Sequence, residues 1–152
     1  MNDLFIREFG GNDLETVLDL HRKAMEKTGA YRGDGPWDDD LRDIESHYRG
    51  GAFLIGESDG LIVSMGAYRK ISATVAEIKR MRTSPDHQGK GFGKQMLGEL
   101  IRRAKNAGFT ELILETSDRQ TPAIRLYTGA GFIKFRDEII DEFNCGWYRL
   151  TL

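Results

Sequence analysis

The sequence predicts an α/β chain of the α+β type: a mixed, mainly antiparallel central sheet of about seven strands with helices on both faces. The element order carries this. Seven strand-like runs and four helix-like segments follow one another as β-α-α-β-β-β-α-β-α-β-β. Three strands in succession through short connections favour antiparallel pairing, and the order is not the strict βαβ alternation of a doubly wound sheet. The third observation is size. The chain has 152 residues, 39% of them hydrophobic, which is enough for the core of one domain spanning residues 1–152.

Each element has its own warrant. "LFIREF" reads as an opening strand rather than a signal peptide. Asn12 or Asp13 is placed to cap a helix whose apolar positions Leu14, Val17, Leu18 and Met25 fall roughly on one face. "TGAYRGDGPWDDD" breaks the pattern with three glycines and a proline and reads as a loop. Its aspartates open a short helix with Leu41, Ile44 and Tyr48 inward. "GAFLIGE" and "LIVSMGAY" flank Ser58-Asp59-Gly60, and Asp-Gly between apolar runs is a hairpin signal. A third strand runs from about Val75 to Thr83. Phe92, Met96, Leu97, Leu100, Ile101 and Ala104 then make one stripe of a long helix that Gly108 ends at C′. "TELILE" is a buried strand. Thr121-Pro122 opens a helix with threonine as N-cap and proline at N1. Phe132–Ile140 and Cys145–Leu150 close the chain as two strands.

Composition excludes several classes. The formal net charge is −2, so nothing favours non-specific nucleic-acid binding. No apolar run is long enough to span a membrane. Cys145 is the only cysteine, which rules out an internal disulfide or a cysteine-based zinc site. A cytoplasmic protein is the default. His21, His47 and His87 are scattered without metal-ligand spacing and read as surface or helix residues, so no metal is expected.

The stretch "HQGKGFGKQML", His87 to Leu97, carries the chemistry. A G-x-G-x-x-G fingerprint fails in it: started from Gly89 the third glycine is Lys94, and from Gly91 it is Met96. A G-x-x-x-x-G-K-[ST] loop ending on Gly93-Lys94 fails at Gln88 and Gln95. The physics survives both failures. A strand ends, glycines follow, and a helix begins with unpaired N–H groups and a positive dipole end, which together make an anion site. A plain flexible helix entry is the alternative on spacing alone.

Gln88-x-x-Gly91-x-Gly93, after a strand and before an amphipathic helix, resembles the pyrophosphate-binding signature of the GNAT superfamily of acyl-CoA N-acyltransferases. "QTPAIRLYTGAGF" resembles its second signature, with Gln120 where the family usually has asparagine. The element order is similar to the family fold nearly end to end. The resemblance implies acetyl-CoA as co-substrate and acyl transfer to an amine. It places the pyrophosphate on the backbone of Gln88, Gly89, Lys90, Gly91, Phe92, Gly93 and Lys94, with solvated helix-end lysines as the other reading of Lys90 and Lys94. It places the pantetheine arm along the backbone of Met81, Arg82 and Thr83, and adds Gln120, Ala123 and Tyr127 to the cofactor site.

Tyr127 matches the family tyrosine that protonates the departing thiolate, a sensible use of a positioned phenol; helix core beside Ile124 and Leu126 is the alternative. Glu77, eleven positions before Gln88, matches the glutamate that in several members takes the proton of the amine. An ordinary glutamate is a weak base, so burial or a water relay is required, and a cross-strand ion pair is the alternative. On the acceptor side Tyr31 and Trp37 can wall a pocket. Asp34 and Asp38 to Asp40 can attract an amine or simply open a helix, and Trp147 and Tyr148 are equally open. The expected activity is an N-acetyltransferase acting on a small primary amine by direct attack in a ternary complex. A peptide N-terminus or lysine side chain is the second acceptor class. A non-catalytic acyl-CoA sensor and a nucleotide-binding protein are the readings from other classes. Many family members form homodimers, and nothing in the sequence fixes an interface.

Overall fold

The computed structural model describes residues 3–33 and 35–152; Asp34 lies outside the described residues. Seven strands, β1 (Phe5–Glu8), β2 (Ala52–Ser58), β3 (Leu61–Lys70), β4 (Val75–Thr83), β5 (Glu111–Ser117), β6 (Ile133–Ile140) and β7 (Phe143–Thr151), form one sheet. Its order is β1-β2-β3-β4-β5-β7-β6. Every neighbouring pair is antiparallel except β4 and β5, which are parallel. This is the mixed, mainly antiparallel sheet that the element order predicts.

Helices cover both faces. On one lie α1 (Leu14–Thr28) and the short α2 (Asp39–Arg42) and α3 (Ile44–His47). They bury Val17, Leu20, Leu41, Ile44 and Tyr48 against Phe53, Ile55 and Met65 of the sheet. On the other face lie α4 (Phe92–Asn106) and α5 (Thr121–Gly129). Met96, Leu97 and Leu100 of α4 pack there with Leu54, Ile78, Leu112 and Leu114. Leu100 is completely buried, worth roughly 1.5–3 kcal/mol over an exposed leucine. Among the described residues no helix is long and apolar enough to cross a membrane.

Local signals are realised with some corrections. Asp59 and Gly60 sit at φ 51° and 79°, the two left-handed positions of a primed hairpin turn. Gly108 ends α4 at φ 97°, with Gly108 N–H bonded to Lys105 O and Phe109 N–H to Ala104 O, a Schellman end. The expected single second helix is two, because Asp43 leaves helical geometry at φ −147° and its carboxylate caps Ser46 N–H. Asp13 does not cap α1 with its side chain; its carboxylate accepts from Gly10 N–H at 2.8 Å and from Arg7. Leu18 points outward. The N-cap of α5 is Gln120 rather than Thr121, so Pro122 falls one place further in. The last strand starts at Phe143. Asp141 and Glu142 turn the final hairpin at φ 49° and 72° without glycine.

One irregularity positions the site. β4 pairs with β5 only over Val75–Glu77 opposite Glu111–Ile113. Beyond that, β4 stays with β3 as far as Thr83, and β5 stays with β7 as far as Ser117. The β3–β4 register slips between Lys79 and Arg82, where Arg80 adopts φ 60°. A bulge of this kind bends its strand and re-aims a side chain. The two strands part, and their facing backbone edges are left without a strand partner.

Candidate active site

Two cavities meet in the gap between β4 and β5. One, of about 310 Å³, lies beside the start of α4. The other, of about 420 Å³, lies on the α1 face of the sheet. Met25, Met81, Arg82, Gln120 and Tyr127 line both, so the cavities communicate at those side chains.

The smaller cavity is built by the glycine stretch. Gly89 and Gly91 have φ of 80° and 82°, a region that strains other residues. A Cβ at either would meet nothing within 4 Å, so backbone conformation, not crowding, selects glycine there. The first helical bond of α4 runs from Gln95 N–H to Gly91 O at 3.1 Å, which leaves the preceding amides free of helical partners. These amides, the dipole end and open space together fit an anion. Thr83, Gln88, Lys94 and Ala123 also line this cavity. The Gln88 side chain accepts from Lys27 Nζ and donates to Thr83 O. Phe92 is buried beneath the loop. Lys90 is exposed and lies outside the lining.

Tyr127 stands at the junction. It projects from α5 and packs edge-on against Phe132, with ring centroids 5.9 Å apart. Burial pushes its phenol up to about 12, against the opposing effect of the Arg82 charge. It therefore keeps its proton through the neutral range.

The larger cavity is walled by Tyr31, Trp37, Phe143 and Trp147, whereas Tyr148 faces the opposite core. Arg32 stacks over the Trp37 ring at 4.1 Å and binds Asp141 at 2.8 Å, tying the loop after α1 to the β6–β7 turn. Asp38 and Asp40 are not free to attract an amine. Arg80, aimed by the bulge, reaches Asp38 at 3.2 Å, both oxygens of Asp40 and the Trp37 carbonyl. Tyr48 donates to Asp40 as well. Burial alone would push the Asp40 carboxyl up, yet the Arg80 guanidinium outweighs it and holds that carboxyl at about 2.

Sequence reasoning missed several residues of this cleft, and two of them bear directly on its chemistry. His21 is a helix residue, as expected, but a buried one: it is 4% exposed and faces the cleft from α1. Burial, then the Arg82 and Arg80 charges, pull it down to about 4. Its Nδ1 accepts from Arg82 Nε at 3.3 Å, which leaves Nε2–H to donate to Asp38 at 3.1 Å. The signal was there, since residues 17, 20, 21 and 24 are one helical face. His47 is exposed, and His87 lines the smaller cavity. Glu115 is the second. It shares with Glu77 the sheet face that opens on the cleft. Glu77 is ion-paired with Arg69, its partner across the β3–β4 ladder, at 3.0 Å. Glu115 has no basic partner among the described residues. Cys145 also lines the cleft; burial first, then the adjacent Glu115, push its thiol up to about 12, so it is no ready nucleophile.

Known proteins resemble this chain in sequence and in fold. N-acetyltransferase 8F1 of Rattus norvegicus is 29% identical over 111 residues, covering 68% of this chain and 50% of the relative. The chain thus spans about half the length of the curated relatives it matches. An acetyltransferase from Streptococcus agalactiae superposes with a TM-score of 0.87 at 22% identity, covering 98% of each chain. yncA from Salmonella typhimurium, solved with its cofactor acetyl-CoA, superposes with a TM-score of 0.79 at 20% identity over 97% of this chain and 93% of its own. The model of the Acetyltransferase (GNAT) family matches residues 14–132, from α1 through both glycine-bearing signatures, and the chain belongs to that family.

Proposed function

We propose that this chain is an acetyl-CoA-dependent N-acetyltransferase with a small primary amine as acceptor. The observation that carries the reading is the gap between β4 and β5. It joins the cavity at the start of α4 to a cleft through a junction lined by a protonated tyrosine. The pyrophosphate of acetyl-CoA belongs on the amides at the start of α4, with Gly89 and Gly91 allowing close approach. The pantetheine arm belongs along the unpaired edge of β4 at Met81–Thr83. That edge leads toward the junction.

The amine enters as an ammonium and must lose a proton before it attacks. A cleft carboxylate takes that proton. Glu77 keeps its place as a candidate, with one oxygen already engaged by Arg69. Glu115 is the stronger candidate, because its carboxylate has no competing cation. The nitrogen then forms the C–N bond as the C–S bond breaks. Tyr127 gives its proton to sulfur and recovers one from nitrogen, so the products are an amide, the CoA thiol and one proton. No acyl-enzyme is required. The cleft size and the Arg32–Asp141 tie across it favour a metabolite over a peptide. Thiol release from acetyl-CoA over a panel of amines and peptides tests the reading. Release with small amines supports it. CoA binding without release would leave an acyl-CoA sensor.

A further inference from the structure

Most charges that line the acceptor cleft are matched. Asp38 is held by Arg80, Glu77 by Arg69, and Asp141 by Arg32. Arg82 is not matched, and neither is Lys79; of the two, Arg82 is the one that reaches both cavities. Among the described residues its guanidinium has no carboxylate partner. Nε donates to neutral His21 Nδ1 at 3.3 Å, and Nη1 donates to the Met81 carbonyl at 2.8 Å. These two bonds fix the group without neutralising it. It is also the one charged side chain among the five that line both cavities.

Two further groups in the cleft lack their complements. The Trp147 indole N–H is buried and has no acceptor. The Glu115 carboxylate has no cation. A buried donor without an acceptor and a fixed cation without an anion are costly unless a ligand supplies what is missing.

We propose that the acceptor is an α-amino acid, with its α-carboxylate on Arg82 and its ammonium group toward Glu115. This rests on the acetyltransferase reading and narrows it. The position of Arg82 selects the α relationship. A carboxylate held at the junction of the cavities lies close to the reacting carbon, and in an α-amino acid one carbon separates it from the attacking nitrogen. Guanidinium and carboxylate form a strong, geometrically specific pair. Tyr31, Trp37 and Phe143 suit an aromatic or apolar side chain. A polyamine would set its additional cations against Arg82 and Lys79. A peptide N-terminus would bring a neutral amide to Arg82. The transfer balances as above and yields an N-acetyl amino acid, the CoA thiol and one proton.

The test compares phenylalanine, phenylalaninamide and phenethylamine as acceptors, by thiol release from acetyl-CoA, in the wild type, Arg82→Gln and Arg82→Lys. Alongside it, calorimetry measures N-acetylphenylalanine and its amide binding to each protein in the presence of CoA. In the wild type kcat/KM for the acid should exceed that of both analogues by about tenfold or more. Arg82→Gln should collapse that preference to within about twofold, and Arg82→Lys should restore part of it. N-acetylphenylalanine should bind more tightly than its amide only where residue 82 is cationic. Equal or better use of the amide or the amine overturns the proposal. So does an equal loss for all three acceptors in Arg82→Gln, which would place Arg82 on the acyl donor. Release with other amines and none with phenylalanine overturns the proposal and keeps the acetyltransferase reading. Release with no amine removes that reading, and the calorimetric preference then decides for or against the carboxylate site.

Discussion

Glu77 and Ile113 are the last residues at which β4 and β5 pair. Past them β4 follows β3 and β5 follows β7, and the gap between them becomes the site. The bulge at Arg80 makes the divergence useful. It sends Arg80 into the carboxylates of the loop after α1, which builds one wall of the cleft. Two residues on, Arg82 reaches the junction of the cavities. Tyr127 meets that junction from α5, so a protonated phenol, a cation and an open backbone edge converge there.

Replacement of Tyr127 by phenylalanine tests the acid. The ring packs on Phe132 and needs no hydroxyl for that, so the fold should persist. Turnover should fall by about 10²- to 10³-fold, with the acetyl-CoA Kd changed by less than about threefold. Steady-state kinetics with calorimetry checks this, and equal turnover in the two proteins would remove Tyr127 from the chemistry.

Glu77 and Glu115 make different predictions. Glu115→Gln should lower kcat/KM for an ammonium acceptor by about 10²-fold or more. Glu77→Gln frees Arg69 and loses a cross-strand pair, so a smaller kinetic effect should accompany a stability loss of about 1 kcal/mol. The reverse ranking of the two variants would return the base to Glu77.

Gly91, the N-cap of α4, is one of two loop glycines there held at positive φ. Alanine at φ 82° costs about 1–2 kcal/mol of stability. It also adds a methyl group to open space at the start of α4. Acetyl-CoA affinity should drop by about tenfold or more, measured by calorimetry below the unfolding temperature. Unchanged affinity would move the pyrophosphate elsewhere.

His21 gives the fold an acid sensitivity. Its folded pKa is pulled from 6.5 to about 4, so the unfolded chain takes up this proton first as pH falls. Stability is therefore complete above about pH 6.5 and declines toward pH 4, by on the order of 3 kcal/mol. Asp40, held at about 2 from an ordinary 3.8, extends the loss below about pH 4. Urea titrations at about pH 7, 5.5 and 4.5 should show the decline. His21→Gln should flatten it between about 6.5 and 4, and an unchanged slope would mean that His21 takes up the proton while folded.

The strands, the hairpin at Asp59-Gly60 and the long helix behind the glycines were legible because short-range pattern determines them. So was the glycine turn into that helix, since its glycines and helix start are neighbours in sequence. The rest of the site depends on distant pairings. Arg80 meets Asp38 and Asp40 across some forty positions, and no local pattern announces that pair or the bulge that permits it. The parting of β4 from β5 is equally silent, because each strand alone looks regular. Glu115 read as one residue of a buried strand until the gap turned its face into a cleft. His21 was within reach: its place on the Val17–Leu20–Ala24 face marked it as buried.

Thiol release from acetyl-CoA measures acetyl transfer through the β4–β5 gap without intermediary. With α-amino acids, simple amines, polyamines and peptides offered in parallel, at least one small amine should give saturable thiol release, with its N-acetyl product detected by mass spectrometry. Tight binding of ATP or NAD with none of CoA, or CoA binding with no thiol released by any acceptor, would contradict acetyl transfer.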